Sequence, residues 1–495
     1  MVNTSIPKFA NDSKRPFLLQ NFKGIISRPS DVDTYSIKRW APNAIKKAAY
    51  VVYPTDAADI SEALLFVQEE RLPIAISGGR HDIGGASSTE GGVVIDMRNM
   101  NAVRVDKENK IGYIQGGTSI HHAVGELFKH GMLASYRIDF TMHIEALLHL
   151  SGMATVTGHC GSTGVVGLSC GGGIGFKMGE YGLACDNIVS AKVVLANGII
   201  VNANEQENSD LLWGIKGGGS NFGVIAELGM RLHEARPDLH TGLYIYLPEQ
   251  LPELVAELSA WLKVQTPREG LGLVFDLSPD DGKPYLILHC IAEVNAEEGE
   301  RLWSRFVKLG PILNREKQIP YNMYTTLGDG FDAMDGNKIQ RGAHFNVFDY
   351  ETVKKSYDMW LSITPKAPMS SLMYEFYSYD LASMVPMDAT AFPHRTKLDK
   401  VALIGLYGFE DEWMAEALKT SKDIQACISS SSTDSARNSI GYLNYASIDA
   451  SENDTDEKAR KAFGSNYPRL QQLKRKYDPD MVFNKWFCIR PADIC

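Results

Sequence analysis

The chain has 495 residues, 44% of them hydrophobic and 22% charged, with a formal net charge of -10; these values fit a soluble globular enzyme large enough for two domains. The acidic balance excludes nucleic-acid binding as a principal role, because no basic surplus exists to neutralise phosphates. No stretch of about 18 apolar residues is present, so no membrane span is expected, and the first residues lack the apolar core of a secretory signal, which points to an intracellular, cytoplasmic location.

In chain order, the first predicted helix is Ala57–Arg71, with Ile60, Ala63, Leu64 and Val67 at helical spacing. Short apolar runs bounded by turn residues follow and read as strands: Pro73–Ile76, Val93–Asp96, and Ala191–Ala196 closed by Asn197-Gly198. Glycine clusters at Ser77–Gly85, Gly116-Gly117, Gly158–Gly175 and Gly214–Gly223 separate them. From about Glu234 glycine thins out. Helices are expected at Pro248–Leu262, Ala296–Leu309 and Glu351–Ile363, alternating with aromatic strands Leu271–Leu277 and Leu372–Tyr379. The tail returns to short strands and ends in a helix, Tyr467–Tyr477, before Asp478-Pro479. The class is α+β. The expected division is a first domain at 1–235, a second at 236–438, and a return to the first at 439–495.

Clustered glycines let backbone N–H groups approach a phosphate that any Cβ would block, though tight turns in a strand-rich domain would need them too. The seven cysteines are sparse and lack CxxC spacing, which fits a reducing compartment.

Ser77-Gly78-Gly79-Arg80-His81-Asp82-Ile83-Gly84-Gly85-Ala86, followed by Gly92–Met97, resembles the first FAD-binding signature of the vanillyl-alcohol-oxidase superfamily. The similarity is greatest to its berberine-bridge-enzyme-like branch. Gly171-Gly172-Gly173-Ile174-Gly175, Asp210–Ile225, Asp388–Arg395, Tyr442-Leu443-Asn444-Tyr445 and Phe483-Asn484 agree in order and spacing. The resemblance implies a two-domain PCMH-type FAD-binding fold, with an antiparallel-sheet substrate domain backed by helices. It also implies FAD contacts from Ser77, Gly78, Gly79, Arg80, Asp82, Gly85, Ala86, Gly164, Gly171, Gly172, Gly173, Gly175, Val224, Asn444 and Asn484.

In this family the histidine at the position of His81 is bonded to the flavin. Some members add a cysteine eleven residues before the triple glycine, which is where Cys160 stands. FAD held by His81 and Cys160 is therefore expected, with Cys170 packing nearby. A tyrosine of the Y-x-N-Y motif lies above the flavin in the family, so Tyr442 and Tyr445 are the candidate bases and Asn444 a positioning group. Strand alternation would put Tyr442 and Asn444 on one face and Tyr445 on the other, favouring Tyr442. Plant members carry Glu or Gln shortly after the Pro-His-Arg run; here Val401–Ile404 is apolar, which departs from that carboxylate mechanism. Tyr374, Glu375, Tyr377, Tyr379, Asp380 and His344 are possible substrate contacts. Thr163, small where a leucine suppresses reaction with oxygen, favours an oxidase.

The expected partners are a small organic substrate, such as a secondary-metabolite intermediate, and O2. A carbohydrate oxidase and a non-redox cyclase are the alternatives. Gly-Met occurs twice, 21 residues apart, at Gly131 and Gly152. The family runs straight on here, so 132–152 reads as an insertion, from an unspliced intron or as an external helix.

Overall fold

The computed structural model describes residues 21–28, 37–132, 152–236, 239–332, 336–396, 400–409, 411–430, 440–445 and 455–493. Apart from its two end residues, the suspected insertion lies outside them.

The N-terminal half carries two sheets. In the first, strands β1 (Ile25–Ser27), β2 (Tyr50–Tyr53), β3 (Ile74–Ser77) and β4 (Val93–Asp96) lie in the order β1-β2-β4-β3, with β4 parallel to both neighbours. The helix Ala57–Glu69 makes the crossover that parallel strands require. Asp56 caps it by accepting from the Asp59 N–H, and Ile60, Ala63, Leu64 and Val67 are buried. It ends two residues early because Arg71 takes φ 53°. The second sheet is antiparallel. Its strands β5 (Val103–Asp106), β6 (Ile111–Gln115), β8 (Ile188–Val194), β9 (Ile200–Ala203) and β10 (Val224–Arg231) lie in the order β5-β6-β10-β8-β9. A two-stranded ribbon pairs β7 (Gly152–Ala154) with β11 (His233–Ala235).

Seven antiparallel strands make the largest sheet: β12 (Leu239–Tyr246), β13 (Glu269–Leu277), β14 (Pro284–Ala292), β15 (Leu313–Ile319), β16 (Asn337–Phe345), β17 (Ser371–Tyr377) and β18 (Lys400–Gly408), in the order β15-β12-β14-β13-β17-β18-β16. Helices Leu251–Leu262, Ala296–Val307, Tyr350–Ile363 and Met414–Ser430 cover one face. Asn295 and Asp349 cap two of them through their side chains. Trp261, Trp303 and Trp360 fill that interface beside Leu273, Phe275, Leu288, Tyr374 and Phe376. Because side chains alternate along a strand, Met373, Glu375 and Tyr377 of β17 point to the opposite face.

That opposite face meets the N-terminal half, and Tyr377, Val401, Tyr442 and Phe392 share a core with Ile114 and Leu127. The C-terminal helix Tyr467–Tyr477 closes the return. Its buried Lys474 donates to Asn221 O (2.8 Å), Asp478 Oδ2 (2.6 Å) and Phe483 O (2.6 Å). Two expectations need correction. Beyond Gly408 the described residues contain no strand, and the Tyr442–Tyr445 motif is a 3-10 turn over Leu443–Tyr445. The alternation argument for its side chains therefore has no basis.

Candidate active site

A cleft runs between the two N-terminal sheets and the helix-free face of the seven-stranded sheet. Gly78, Gly79, Arg80, His81, Asp82, Ala86, Cys160, Gly164, Tyr442, Asn444 and Tyr445 all line it.

Glycine makes one wall. A Cβ on Gly79 would lie 2.1 Å from the Gly164 backbone nitrogen, so the loop after β3 and the loop after Cys160 touch backbone to backbone. That contact sets His81 beside the Cys160 loop. Gly79→Ala is expected to lose most of its flavin, read as flavin absorbance per chain. Gly125→Ala, where an added Cβ meets nothing within 4 Å, is expected to keep it. His81 stacks on Trp40 with centroids 5.1 Å apart and planes inclined by 16°. Its Nε2 is 2.6 Å from Ser162 Oγ, and the same hydroxyl is 3.8 Å from Cys160 Sγ. Cys170 is buried, and burial pushes its thiol pKa far up, which leaves it a packing residue.

Ser77 and the cleft-lining Ser87 are buried, and among the described residues their hydroxyls have no partner. Unpaired buried hydroxyls beside a glycine-walled groove fit a polar, elongated cofactor such as FAD. Asp82 also lines the groove, and burial raises its pKa; its carboxylate accepts from the Ala86 N–H at 2.6 Å and so closes the 82–86 turn. Gly85, at φ 79°, belongs to that turn. Asn484 lines a small adjoining pocket with Ile76, Ala86 and Ser220. The Val224 side chain is buried in a hydrophobic core with Val52 and Leu64.

The triple glycine stands behind the wall. A Cβ on Gly171 would be 1.9 Å from Asn444 Oδ1, and one on Gly175 would be 2.0 Å from Thr157 O. Gly172 and Gly173 take φ 107° and 79°. The buried Tyr442 hydroxyl accepts from Gly173 N (3.1 Å), Ile174 N (3.0 Å) and Asn444 Nδ2 (2.8 Å). These donors tie Tyr442 to the turn, and they act against the rise in its pKa that burial imposes. Asn444 also donates to Leu168 O at 3.0 Å.

Tyr445 is placed differently. Its hydroxyl hydrogen-bonds to Glu375, a cleft-lining carboxyl that burial pushes up to about 7 although the Tyr445 contact pulls it down. Burial and the Glu375 charge hold Tyr445 well above the usual phenol range. Glu375 brings a carboxyl into the cleft from the strand beside the apolar Val401–Ile404 stretch, where it sits directly opposite Val401. Met373, Leu403, Thr163, His159 and a Gln340–Tyr407 pair (Nε2 to Oη 2.8 Å) complete the cleft. Tyr377 reaches His159 Nδ1 at 3.3 Å. Tyr374 faces the helices, where its hydroxyl is 2.6 Å from Ser356 Oγ. His344 is buried against His394, with ring centroids 5.0 Å apart.

Two family models match this chain: an FAD binding domain over residues 48–142, and "berberine and berberine like" over residues 441–486. The FAD-linked oxidoreductase pgmH of Aspergillus terreus is 32% identical over 482 residues, covering 92% of this chain and 91% of the relative. The chain belongs to the berberine-bridge-enzyme-like FAD-linked oxidoreductases. Solved structures share the fold of this oxidoreductase. That of 6-hydroxy-D-nicotine oxidase from Arthrobacter nicotinovorans has a TM-score of 0.79 at 22% identity, covering 95% of this chain and 98% of that one. Glucooligosaccharide oxidase from Acremonium strictum, described with a 6-S-cysteinyl, 8α-N1-histidyl FAD, has a TM-score of 0.78 at 20% identity, covering 96% and 99%. Among the described residues of the oxidoreductase, no helix is long and apolar enough to cross a membrane, and no group of His, Cys, Asp and Glu is arranged to hold a metal ion.

Proposed function

We propose that this FAD-linked oxidoreductase is an oxidase of a small organic molecule, a secondary-metabolite intermediate, with its flavin attached through both His81 and Cys160. The observation that carries this reading is the convergence of His81 and Cys160 on one hydroxyl, Ser162, in the cleft that also holds the Tyr445–Glu375 pair. FAD, when bound, accepts the substrate's electrons and passes them to dioxygen. The chain supplies the acid–base chemistry. Tyr445 receives the substrate proton as its own proton moves to the Glu375 carboxylate, so Glu375 ends neutral and the negative charge passes to the substrate atom that lost its proton. Gln340 and Tyr407 offer hydrogen bonds to orient a polar substrate, while Met373 and Leu403 cover its apolar part.

The test is acid denaturation of purified protein. Yellow flavin is expected to stay in the precipitate of wild type, His81→Ala and Cys160→Ala, and to be released from the double variant. Release from wild type would overturn the covalent reading. Peroxide production is then scored on alcohols, phenols and oligosaccharides; peroxide from oligosaccharides alone would make the protein a carbohydrate oxidase, as several of its structural neighbours are named. Substrate turnover with no peroxide and no flavin reduction would point to a non-redox cyclase.

A further inference from the structure

Ser162 lies between the two attachment residues, 2.6 Å from His81 Nε2 and 3.8 Å from Cys160 Sγ. We propose that Ser162 is a positioning residue that readies both nucleophiles for attachment to the flavin. The inference rests on the covalent reading above and adds the group that makes it proceed.

A neutral imidazole has one N–H and one lone pair, and its partners decide which nitrogen carries which. Stacking on Trp40 fixes the plane of the His81 ring. When the proton is on Nε2 and is donated to Ser162 Oγ, the lone pair is on Nδ1, the nitrogen on the other side of the ring. As Nδ1 forms its bond the ring becomes cationic, and the Nε2 proton leaves through Ser162. A hydroxyl that accepts from His81 keeps its own proton to donate, and Cys160 Sγ is within the reach of an O–H···S contact. Donation to sulfur favours the thiolate, which is the reactive form of cysteine. One hydroxyl thus serves two neighbours in opposite senses, as acceptor from the histidine and donor to the cysteine.

The balance is the same for each link. A C–H bond of the flavin and an N–H or S–H bond of the protein are broken, and one C–N or C–S bond forms. The two electrons and two protons released reduce one dioxygen to hydrogen peroxide.

The experiment separates the links. Full-length protein made under flavin depletion is mixed with FAD in air. Samples are quenched in acid over time, and intact mass counts the chains that carry flavin. In a Cys160→Ala background only His81 can couple, and in a His81→Ala background only Cys160. Adding Ser162→Ala is expected to slow coupling by about tenfold in each background, while flavin bound before the quench and the unfolding midpoint stay at the parental values. Ser162→Thr, which keeps the hydroxyl, is expected to couple at the parental rate. Parental coupling by Ser162→Ala, or a Thr variant as slow as the Ala variant, would overturn the role of Ser162 and leave the covalent reading intact. No coupling in the parents, where Ser162 is present, would overturn the covalent reading and this inference together.

Discussion

Glu375→Gln is expected to lower kcat by about 10²- to 10⁴-fold, the range of a lost general base, and at the same time to make the protein more stable in alkali. The activity loss follows from the pair. Tyr445 cannot ionise on its own near neutral pH, because burial and the adjacent carboxyl hold its pKa far up. It can take a proton only by passing one on, and Glu375 is the acceptor. In wild type the rate is expected to rise with pH through about 7, the value to which burial brings Glu375, and the variant is expected to lose that limb.

The stability gain has the opposite sign for a simple reason. A carboxyl whose folded pKa is raised from 4.5 to about 7 favours the folded state fully below its unfolded pKa and loses that contribution as pH rises through 7. Above that pH the buried charge costs about 3 kcal/mol, from a shift of this size at about 1.4 kcal/mol per unit. Gln carries no charge, so the variant is expected to unfold at a higher temperature than wild type at pH 9. At pH 5 the difference is expected to be small. A residue that merely packed the cleft would lose stability and activity together; thermal unfolding at two pH values, with a pH–rate profile, separates the cases.

The second large effect is expected at Lys177, which does not line the cleft. Lys177 is 3% exposed, and its Nζ lies 2.7 and 2.8 Å from the two oxygens of Glu293, itself 2% exposed. Glu180 joins at 3.2 Å and reaches Arg268 at 3.1 Å. Lys177 sits two residues beyond the glycine turn that Tyr442 holds, and Glu293 directly follows β14, so the pair fastens that segment to the seven-stranded sheet. Lys177→Met leaves Glu293 buried without its cation and is expected to cost about 3–5 kcal/mol. Removing both charges with Lys177→Met and Glu293→Leu is expected to recover most of that loss, because two apolar side chains need no solvation. Arg268 is 44% exposed in its side chain, and its removal is expected to cost less than about 1 kcal/mol. Denaturant unfolding of the four proteins measures all three differences; a Lys177→Met variant as stable as wild type would show that the pair does not fasten that segment to the sheet.

Where chemistry constrains the residue type, the sequence was readable. The Ser77–Ala86 signature, His81 and the amphipathic face of Ala57–Glu69 each follow from a local rule, and the structure puts Gly78, Gly79, His81 and Cys160 on one cleft. Three features needed tertiary contacts. Gly171–Gly175 could serve phosphate approach or tight turns, and only the structure shows that Asn444 and Thr157 occupy the space that side chains there would fill. Tyr442 and Tyr445 looked like strand neighbours, and a 3-10 turn gives one hydroxyl to the backbone and the other to Glu375. Glu375 itself lay in a strand buried on both faces, where periodicity cannot tell the core side from the cleft side.

The register of β17 and β18 extends this last point. Glu375 and Val401 are direct cross-strand partners, and partners of that kind project side by side from the same face, with Cβ atoms about 5 Å apart. A carboxylate grown from either strand would reach much the same part of the cleft. The acid is thus tied to a place over the cofactor groove and not to one position in the chain, and two sequences could exchange it between adjacent strands without disturbing the sheet. A gap in one strand's motif is then no sign of lost chemistry until the strand beside it has been read.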